Sequence, residues 1–340
     1  MHVRRVVPSV AFAVAGLFAA HVAFFESVAS AEEVPDVPGA ASVWQVPENP
    51  GPAQSTHPDA SRYARHHPGS VPPGVNDFTC TPTAEHPKPV VLVHGTDSNA
   101  YSDWSALGPL LADSGYCVFA LNYGGHPGGD NYGTEDMALS GAQVGEFVDQ
   151  VLVSSGADAV DIVGYSQGAT VSRYYVNRLG GSTKVDRWVG LASPTYGGTM
   201  YGVTVLLAQI PGAFDLVTGL LPTTLISPAL GQQAQDSDFM TDLNAGGDTV
   251  AGTEYTTIGS RVDEVIQPNT SIALRDSGAT NVMIQDLCPQ NQTGHFRMPY
   301  DPFALQLIVN ALDPDSAVTP ACVTVPFGAG VLDMILADNF

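Results

Sequence analysis

Along the 340-residue chain, short and nearly continuous apolar runs alternate with longer stretches in which apolar residues recur at helical spacing. Runs at 90–93, 117–121, 161–163, 187–191, 255–259 and 281–284 are rich in β-branched, aliphatic and aromatic residues and too short for buried helices. They read as strands covered on both faces. Between and after them, 104–111, 137–154, 167–179 and 302–312 carry the helical period. Strands alternating with helices predict an α/β fold, a mostly parallel central sheet with helices on both faces.

Three stretches break the pattern. Arg4 and Arg5, the apolar run 10–25 and the small residues Ala29-Ser30-Ala31 mark 1–31 as a secretory signal, so the protein is expected to be extracellular. The run is too short and too interrupted to be expected as a membrane span, and no transmembrane segment is expected once the signal is removed. Residues 32–75 are rich in Pro, Ser, Ala and Gly without either period, end near Pro72-Pro73-Gly74, and read as a leader or linker. The catalytic domain is then expected over 76–340. Within it, 197–235 holds one charged residue, Asp215, and is cut by Pro211, Pro222 and Pro228. Either this is a pair of ordinary buried helices, or it belongs to a helical cap over 197–250 whose inner face lines an acyl pocket and meets lipid.

A net charge of −22 argues against nucleic acid or anionic lipid as partner. Any lipid contact must be apolar. Cys80, Cys117, Cys288 and Cys322 in an exported chain imply two disulfides with three possible pairings. Cys80 with Cys117 and Cys288 with Cys322 is preferred, because the first joins the lead-in of one strand to the start of the next and the second braces the loop before His295. The cysteines lack zinc-site spacing, and neither Asp236-Ser237-Asp238 nor Asp313-Pro314-Asp315 forms an EF-hand loop, so no metal is expected.

The chemistry centres on Gly164-Tyr165-Ser166-Gln167-Gly168, which follows a strand and opens a helix. A serine on such a turn stands clear of the sheet, provided its neighbours lack bulk. It needs a histidine to take its proton and an acid to orient that histidine, arriving in the order Ser, acid, His. Of nine histidines only His295 lies beyond Ser166. Asp263, just past the strand 255–259, is the expected acid, with Glu264 its rival should the turn shift by one residue; Glu264, Asp276 and Asp286 otherwise read as solvated charge. The oxyanion donors are expected at the backbone N–H of Gln167 and at Thr96 in His94-Gly95-Thr96. His94 reads as a residue that orients this loop, and His126 as a loop histidine.

The strings 76–80 (Asn-Asp-Phe-Thr-Cys), 90–96 (Val-Val-Leu-Val-His-Gly-Thr), 115–124, the serine turn and 255–259 (Tyr-Thr-Thr-Ile-Gly) together resemble the secreted class 2 lipases of actinobacteria, within the α/β-hydrolase superfamily. The resemblance spans about residues 76–314. It implies hydrolysis of acylglycerols and other carboxylic esters without a cofactor, with Ser166, Asp263 and His295 as the triad and Thr96 and Gln167 as the oxyanion hole. An ester or lipid at a lipid–water interface is the implied partner. Tyr165 and Ala169 replace a His and a Gly common in the family elbow, and Ser193-Pro194-Thr195-Tyr196-Gly197-Gly198-Thr199 replaces a Pro, His, Gly, Thr-like pattern; both changes leave the catalytic groups in place. Two other functions fit the same residues: an acyltransferase using the same acyl-enzyme, and a non-catalytic secreted binding protein on a hydrolase scaffold.

Overall fold

The computed structural model describes residues 42–126, 129, 131–198 and 227–331, all within one unit of the chain. In chain order the elements are β1 (Val43–Gln45), β2 (Asn49–Pro50), α1 (His57–His66), β3 (Ser70–Val71), β4 (Val90–Val93), α2 (Ala100–Trp104), α3 (Leu107–Asp113), β5 (Val118–Gly125), α4 (Met137–Ser155), β6 (Val160–Tyr165), α5 (Gln167–Arg178), β7 (Val185–Leu191), α6 (Pro228–Gln232), α7 (Asp238–Asn244), β8 (Glu254–Gly259), β9 (Thr280–Met283), α8 (Ile284–Leu287) and α9 (Pro302–Leu312). One sheet runs β1-β5-β4-β6-β7-β8-β9, and every pairing in it is parallel except β1 with β5.

Every residue of β4, β5 and β6 is buried, as their nearly continuous apolar runs require, with Asn122 and Asp161 the polar residues carried inside. Alternate side chains divide between the faces. Val90 and Leu92 join Trp104, Leu107, Phe303 and Ile308 beneath α2, α3 and α9. Val91 and Val93 join Phe147, Val151, Val171 and Val176 beneath α4 and α5. The expected sheet with helices on both faces is therefore present.

The expected helix over 104–111 is two helices, because Pro109 has no N–H for the carbonyl of Ser105 and its ring would clash there. Pro109 instead sits in the first turn of α3, where the missing donor costs nothing. Strand β5 runs four residues beyond the expected end at 121, since β1 pairs with its far half, Val43 opposite Gly125. Ile284, expected in a strand, starts α8.

The leader assignment needs correction over its described part, residues 42–75. This stretch forms β1 to β3 and α1 and is bound to the sheet domain. Trp44 packs on Phe147 with ring centroids 6.2 Å apart, and Asn76 donates to the carbonyls of Pro47 and Ala120, each at 2.9 Å. Helix α1 starts at an N-cap, Thr56, whose hydroxyl accepts from the N–H of Asp59, with Pro58 in its first turn. Because the helix buries only Pro58 and Ala60, its sequence carries no apolar stripe to betray it. The expected signal, 1–31, and residues 199–226 of the expected cap lie outside the described residues.

Candidate active site

Ser166 follows β6 and caps α5 with φ 52° and ψ −123°, a left-handed backbone that a side-chain-bearing residue adopts only under constraint. The turn is closed by Ser166 N–H to the carbonyl of Leu191, 2.9 Å, and Ala169 N–H to the carbonyl of Ser166, 3.0 Å. Both flanking glycines are sterically required. A Cβ on Gly164 would lie 2.5 Å from the backbone of Ala169, and one on Gly168 would lie 2.0 Å from the carbonyl oxygen of Val93. The second contact draws α5 against the end of β4, beside Thr96.

His295 begins a 3-10 turn, His295–Tyr300, after the loop that follows α8. Its Nε2 is 3.0 Å from Ser166 Oγ and its Nδ1 is 2.9 Å from Asp263 Oδ2. Exposure of the three residues is 6%, 3% and 1% for Ser166, His295 and Asp263, so the relay is shielded from water, where its electrostatics are strong. The other oxygen of Asp263 accepts from the N–H groups of Val265 and Ile266, at 2.9 and 2.7 Å, which fixes the carboxylate toward the ring.

Glu264 is not the solvated charge expected. It is 6% exposed, and its Oε2 accepts the backbone N–H of His295. Burial raises its pKa, against which the His295 N–H works, and its Oε1 has no hydrogen-bond partner among the described residues. A Cβ on Gly294 would meet this carboxylate at 2.0 Å. Of the adjacent acids, then, Asp263 faces the imidazole ring and Glu264 holds the backbone that carries it. Tyr165 adds a hydrogen bond from its hydroxyl to the carbonyl of His295, 3.0 Å. Asp286 is a surface charge paired with Arg261, whereas Asp276 accepts the N–H groups of Asp248 and Thr249 at 2.8 and 2.9 Å and closes a turn.

Thr96 follows β4 and lines the cleft. Its hydroxyl donates to Gln167 Oε1 at 2.7 Å and accepts from Gln233 Nε2 at 3.0 Å. With that proton engaged, Thr96 has its backbone N–H to offer an oxyanion. Gln167 is the first residue of α5, where an N–H has no partner within the helix. Gln233 is not among the residues the sequence singles out; the one signal it carries is that three glutamines, 232, 233 and 235, close an otherwise apolar stretch.

His94 is buried away from the cleft and lies under this loop. Its Nδ1 is 2.7 Å from the carbonyl of Gly95, and its Nε2 accepts from the N–H of Tyr123 at 3.3 Å. Burial lowers its pKa to about 4, so it is a neutral strut. Asp103 accepts from the N–H of Gly95 at 2.7 Å and from the Ser98 hydroxyl at 2.8 Å. His126 lies on the surface beside Glu135.

The cleft has a volume of about 570 Å³. Leu230, Ala234, Val265, Ile266 and Phe296 supply apolar lining, whereas His57, Ser61 and Arg65 supply polar lining from α1. Among the described residues no group of three or more His, Cys, Asp or Glu side chains could hold a metal ion, and no helix is long and apolar enough to cross a membrane. Cys80 is bonded to Cys117 and Cys288 to Cys322, the preferred pairing.

Among solved structures the chain is similar to Aspergillus fumigatus lipase B, with a TM-score of 0.56, 20% identity, and coverage of 78% of this chain and 63% of that one. The propeptide form of the lipase BlEst2 from Bacillus licheniformis gives a TM-score of 0.52 at 19% identity, over 72% and 54%. These likenesses, with the sheet order above, make the fold that of an α/β-hydrolase. Over 91 residues the chain is 35% identical to a triacylglycerol lipase of Pseudarthrobacter phenanthrenivorans, covering 25% of this chain and 27% of that one. The same identity over the same length relates it to a triacylglycerol lipase of Burkholderia plantarii, 24% of which is covered. The chain thus spans about a quarter of the length of these relatives. A family model described as lipase (class 2) matches residues 87–307, a stretch that runs from before β4 into α9 and contains Thr96, Ser166, Gln167, Asp263 and His295, and the chain belongs to that family.

Proposed function

We propose that this protein is an exported hydrolase of carboxylic esters, acylglycerols among them, working through an acyl-enzyme on Ser166. The observation that carries this reading is the buried relay from Ser166 Oγ to His295 Nε2 at 3.0 Å and from His295 Nδ1 to Asp263 Oδ2 at 2.9 Å, built on a strained turn. Its placement beside an apolar-walled cleft, and the names of the relatives, support an acyl substrate.

In the first step His295 takes the Ser166 proton as Oγ attacks the ester carbonyl carbon. The oxyanion receives the N–H groups of Thr96 and Gln167, and Asp263 stabilises the imidazolium. Collapse breaks the bond to the alcohol oxygen, which His295 protonates. Water then repeats the sequence on the acyl-enzyme, releasing the carboxylic acid and restoring the serine. Leu230, Ala234, Val265 and Ile266 suit the acyl chain, and each leucine-sized side chain buried against it contributes about 1.5 to 3 kcal/mol. Two disulfides fit an oxidising, extracellular setting.

A fluorophosphonate probe should label Ser166, and esters of graded acyl length should be hydrolysed by the wild type and not by Ser166→Ala. Labelling at another residue, together with full activity of Ser166→Ala, would overturn the reading.

A further inference from the structure

The polar side of the cleft is continuous with the oxyanion turn. Asp97, Ser98, Asn99 and Asp103 line it from the stretch that follows Thr96, Asn131 lines it next to Tyr132 in sequence, and His57 reaches it from α1. Several of these groups are engaged within the turn itself. Ser98 exchanges both backbone hydrogen bonds with Tyr132, at 3.2 and 3.1 Å, and Asn99 caps α2 by accepting the N–H of Ser102 at 2.9 Å. Asp103 does more: its Oδ2 accepts the N–H of Gly95 at 2.7 Å and its Oδ1 accepts the hydroxyl of Ser98 at 2.8 Å. One buried carboxylate therefore grips the chain on both sides of Thr96.

Gly95 is where that grip bears on the chemistry. Its carbonyl is 2.7 Å from His94 Nδ1, which carries the ring proton because Nε2 accepts from the N–H of Tyr123. The peptide joining Gly95 to Thr96 is trans, so the Thr96 N–H points opposite to that carbonyl, away from the buried imidazole. With the Gly95 N–H held by Asp103 and its carbonyl by His94, the direction of the Thr96 N–H is set. The general base is held in the same way, its N–H by Glu264 and its carbonyl by Tyr165.

Asp103 is in turn held from α1. Its side chain is 1% exposed, and a carboxylate so buried is stable only with partners on both oxygens. His57 is one of them, its Nε2 3.1 Å from Oδ1, with Ser61 Oγ 3.4 Å from the Nδ1 of the same ring. Burial opposes ionisation of Asp103, yet the bonds from His57 and Gly95 outweigh it and hold its pKa below the ordinary value. The His57 ring also stands edge-on to Tyr300, 5.9 Å between centroids, and Tyr300 ends the turn that His295 begins. The Tyr300 hydroxyl donates to the carbonyl of Ser102, one residue before Asp103. His57 is thus seated between the turn that carries the oxyanion donor and the turn that carries the base.

We infer that Asp103 is a positioning residue for the oxyanion donor Thr96 and that His57 holds Asp103 in place, so that helix α1, which lies before the family match at 87–307, is part of the catalytic apparatus. This rests on the ester-hydrolase reading and adds to it a role for chain outside that match. Both residues act through the Gly95–Thr96 peptide. Their loss should therefore weaken the transition state, where the oxygen is charged, far more than the bound ester, where it is not.

The test is hydrolysis of para-nitrophenyl butanoate, with kcat and KM read separately, beside inhibition by butylboronic acid. Boron bonds to Ser166 Oγ, whose proton passes to His295, and the tetrahedral anion places an oxygen where the oxyanion forms. His57→Ala, a change that α-helices tolerate, should lower kcat about tenfold and weaken the boronic acid about as much, with KM within about twofold. Asp103→Ala should cost about 10²-fold in both, and Asp103→Asn, which keeps an acceptor for the Gly95 N–H, should recover most of that loss. Unchanged kcat and inhibition in His57→Ala would overturn the inference, whether or not Asp103→Ala folds. So would a loss carried by KM, or a fall in kcat with boronic acid inhibition unchanged, since neither comes from a misdirected oxyanion donor. These results leave the hydrolase reading standing. A wild type that turns over no ester of any acyl length sinks that reading itself, and this role falls with it.

Discussion

The serine turn and the histidine loop meet at a 3.0 Å hydrogen bond, yet they are held by different means. The serine's geometry comes from its own backbone: a φ of 52°, Gly164 and Gly168 where a Cβ would strike main chain, and a helix that starts at once. The histidine's geometry comes from residues far away in sequence. Asp263 sets the ring, Glu264 holds the N–H, Tyr165 holds the carbonyl, and Cys288–Cys322 ties down the loop's approach. The serine is thus fixed mainly by the sterics of its own turn against the neighbouring strands, and the histidine by a set of side-chain contacts that can be removed one at a time.

The largest effect should come from the group that touches the ring. Asp263→Asn is expected to lower kcat on the order of 10⁴-fold with little change in stability, because the wrong imidazole tautomer then faces Ser166. Should it keep most of its activity while Glu264→Gln loses it, the roles of the two acids are reversed.

Glu264 sharpens the contrast between ring and backbone. Glu264→Gln keeps an acceptor for the His295 N–H and should cost under about tenfold in kcat, whereas Glu264→Ala releases the backbone and should cost about 10²-fold, the usual penalty for a displacement near 1 Å. Equal kcat values for the two variants would show that the N–H contact does not position the base.

The disulfides divide along the same line. Their half-cystines are 37 and 34 residues apart, and replacing either pair by Ser should cost about 2 to 4 kcal/mol in denaturant unfolding. Only loss of Cys288–Cys322 should also lower kcat, by about tenfold, since Cys80–Cys117 lies at the start of β5, at the opposite end of the parallel strands from the serine turn. Matching falls in kcat would erase the distinction.

The smallest effect probes the foot of the serine strand. Asp161, 4% exposed in β6, is pushed up to about 7 by burial and by the charge of Asp186, with Arg187 opposing. Unfolded, it ionises above its ordinary 3.8, so the native state binds the extra proton and Asp161's contribution is present below that pH and lost as pH rises through about 7. Asp161→Asn keeps the acceptor for the Arg187 N–H, and should raise Tm by a few degrees at pH 8 and hardly at all at pH 4. A pH-independent difference would refute this account.

Much of this was legible in the chain because it is local. Unbroken apolar runs mark strands buried on both faces, and Gly-x-Ser-x-Gly marks a turn that admits few conformations. His295 stands out because no other histidine follows Ser166. The adjacent pair Asp263 and Glu264 was harder, because two consecutive residues of an irregular turn point apart and only the packing around them says which meets the ring. Helix α1 was missed for a related reason. It is polar, buries two residues, and owes its place to Tyr101, Asp103 and Tyr300, none of which announces a partner in its own sequence.

By itself the sequence determined the alternation of strands and helices from β4 onward, the strained serine turn and the histidine that meets it, since backbone sterics and apolar periodicity act over a few residues. The tertiary structure decided which acid serves the ring, which one holds its backbone, that Gln233 ties Thr96 to the chain after α6, and that a stretch resembling a linker walls the cleft. Those outcomes rest on pairs 32, 31, 137 and 46 residues apart, whose meeting depends on how whole layers pack.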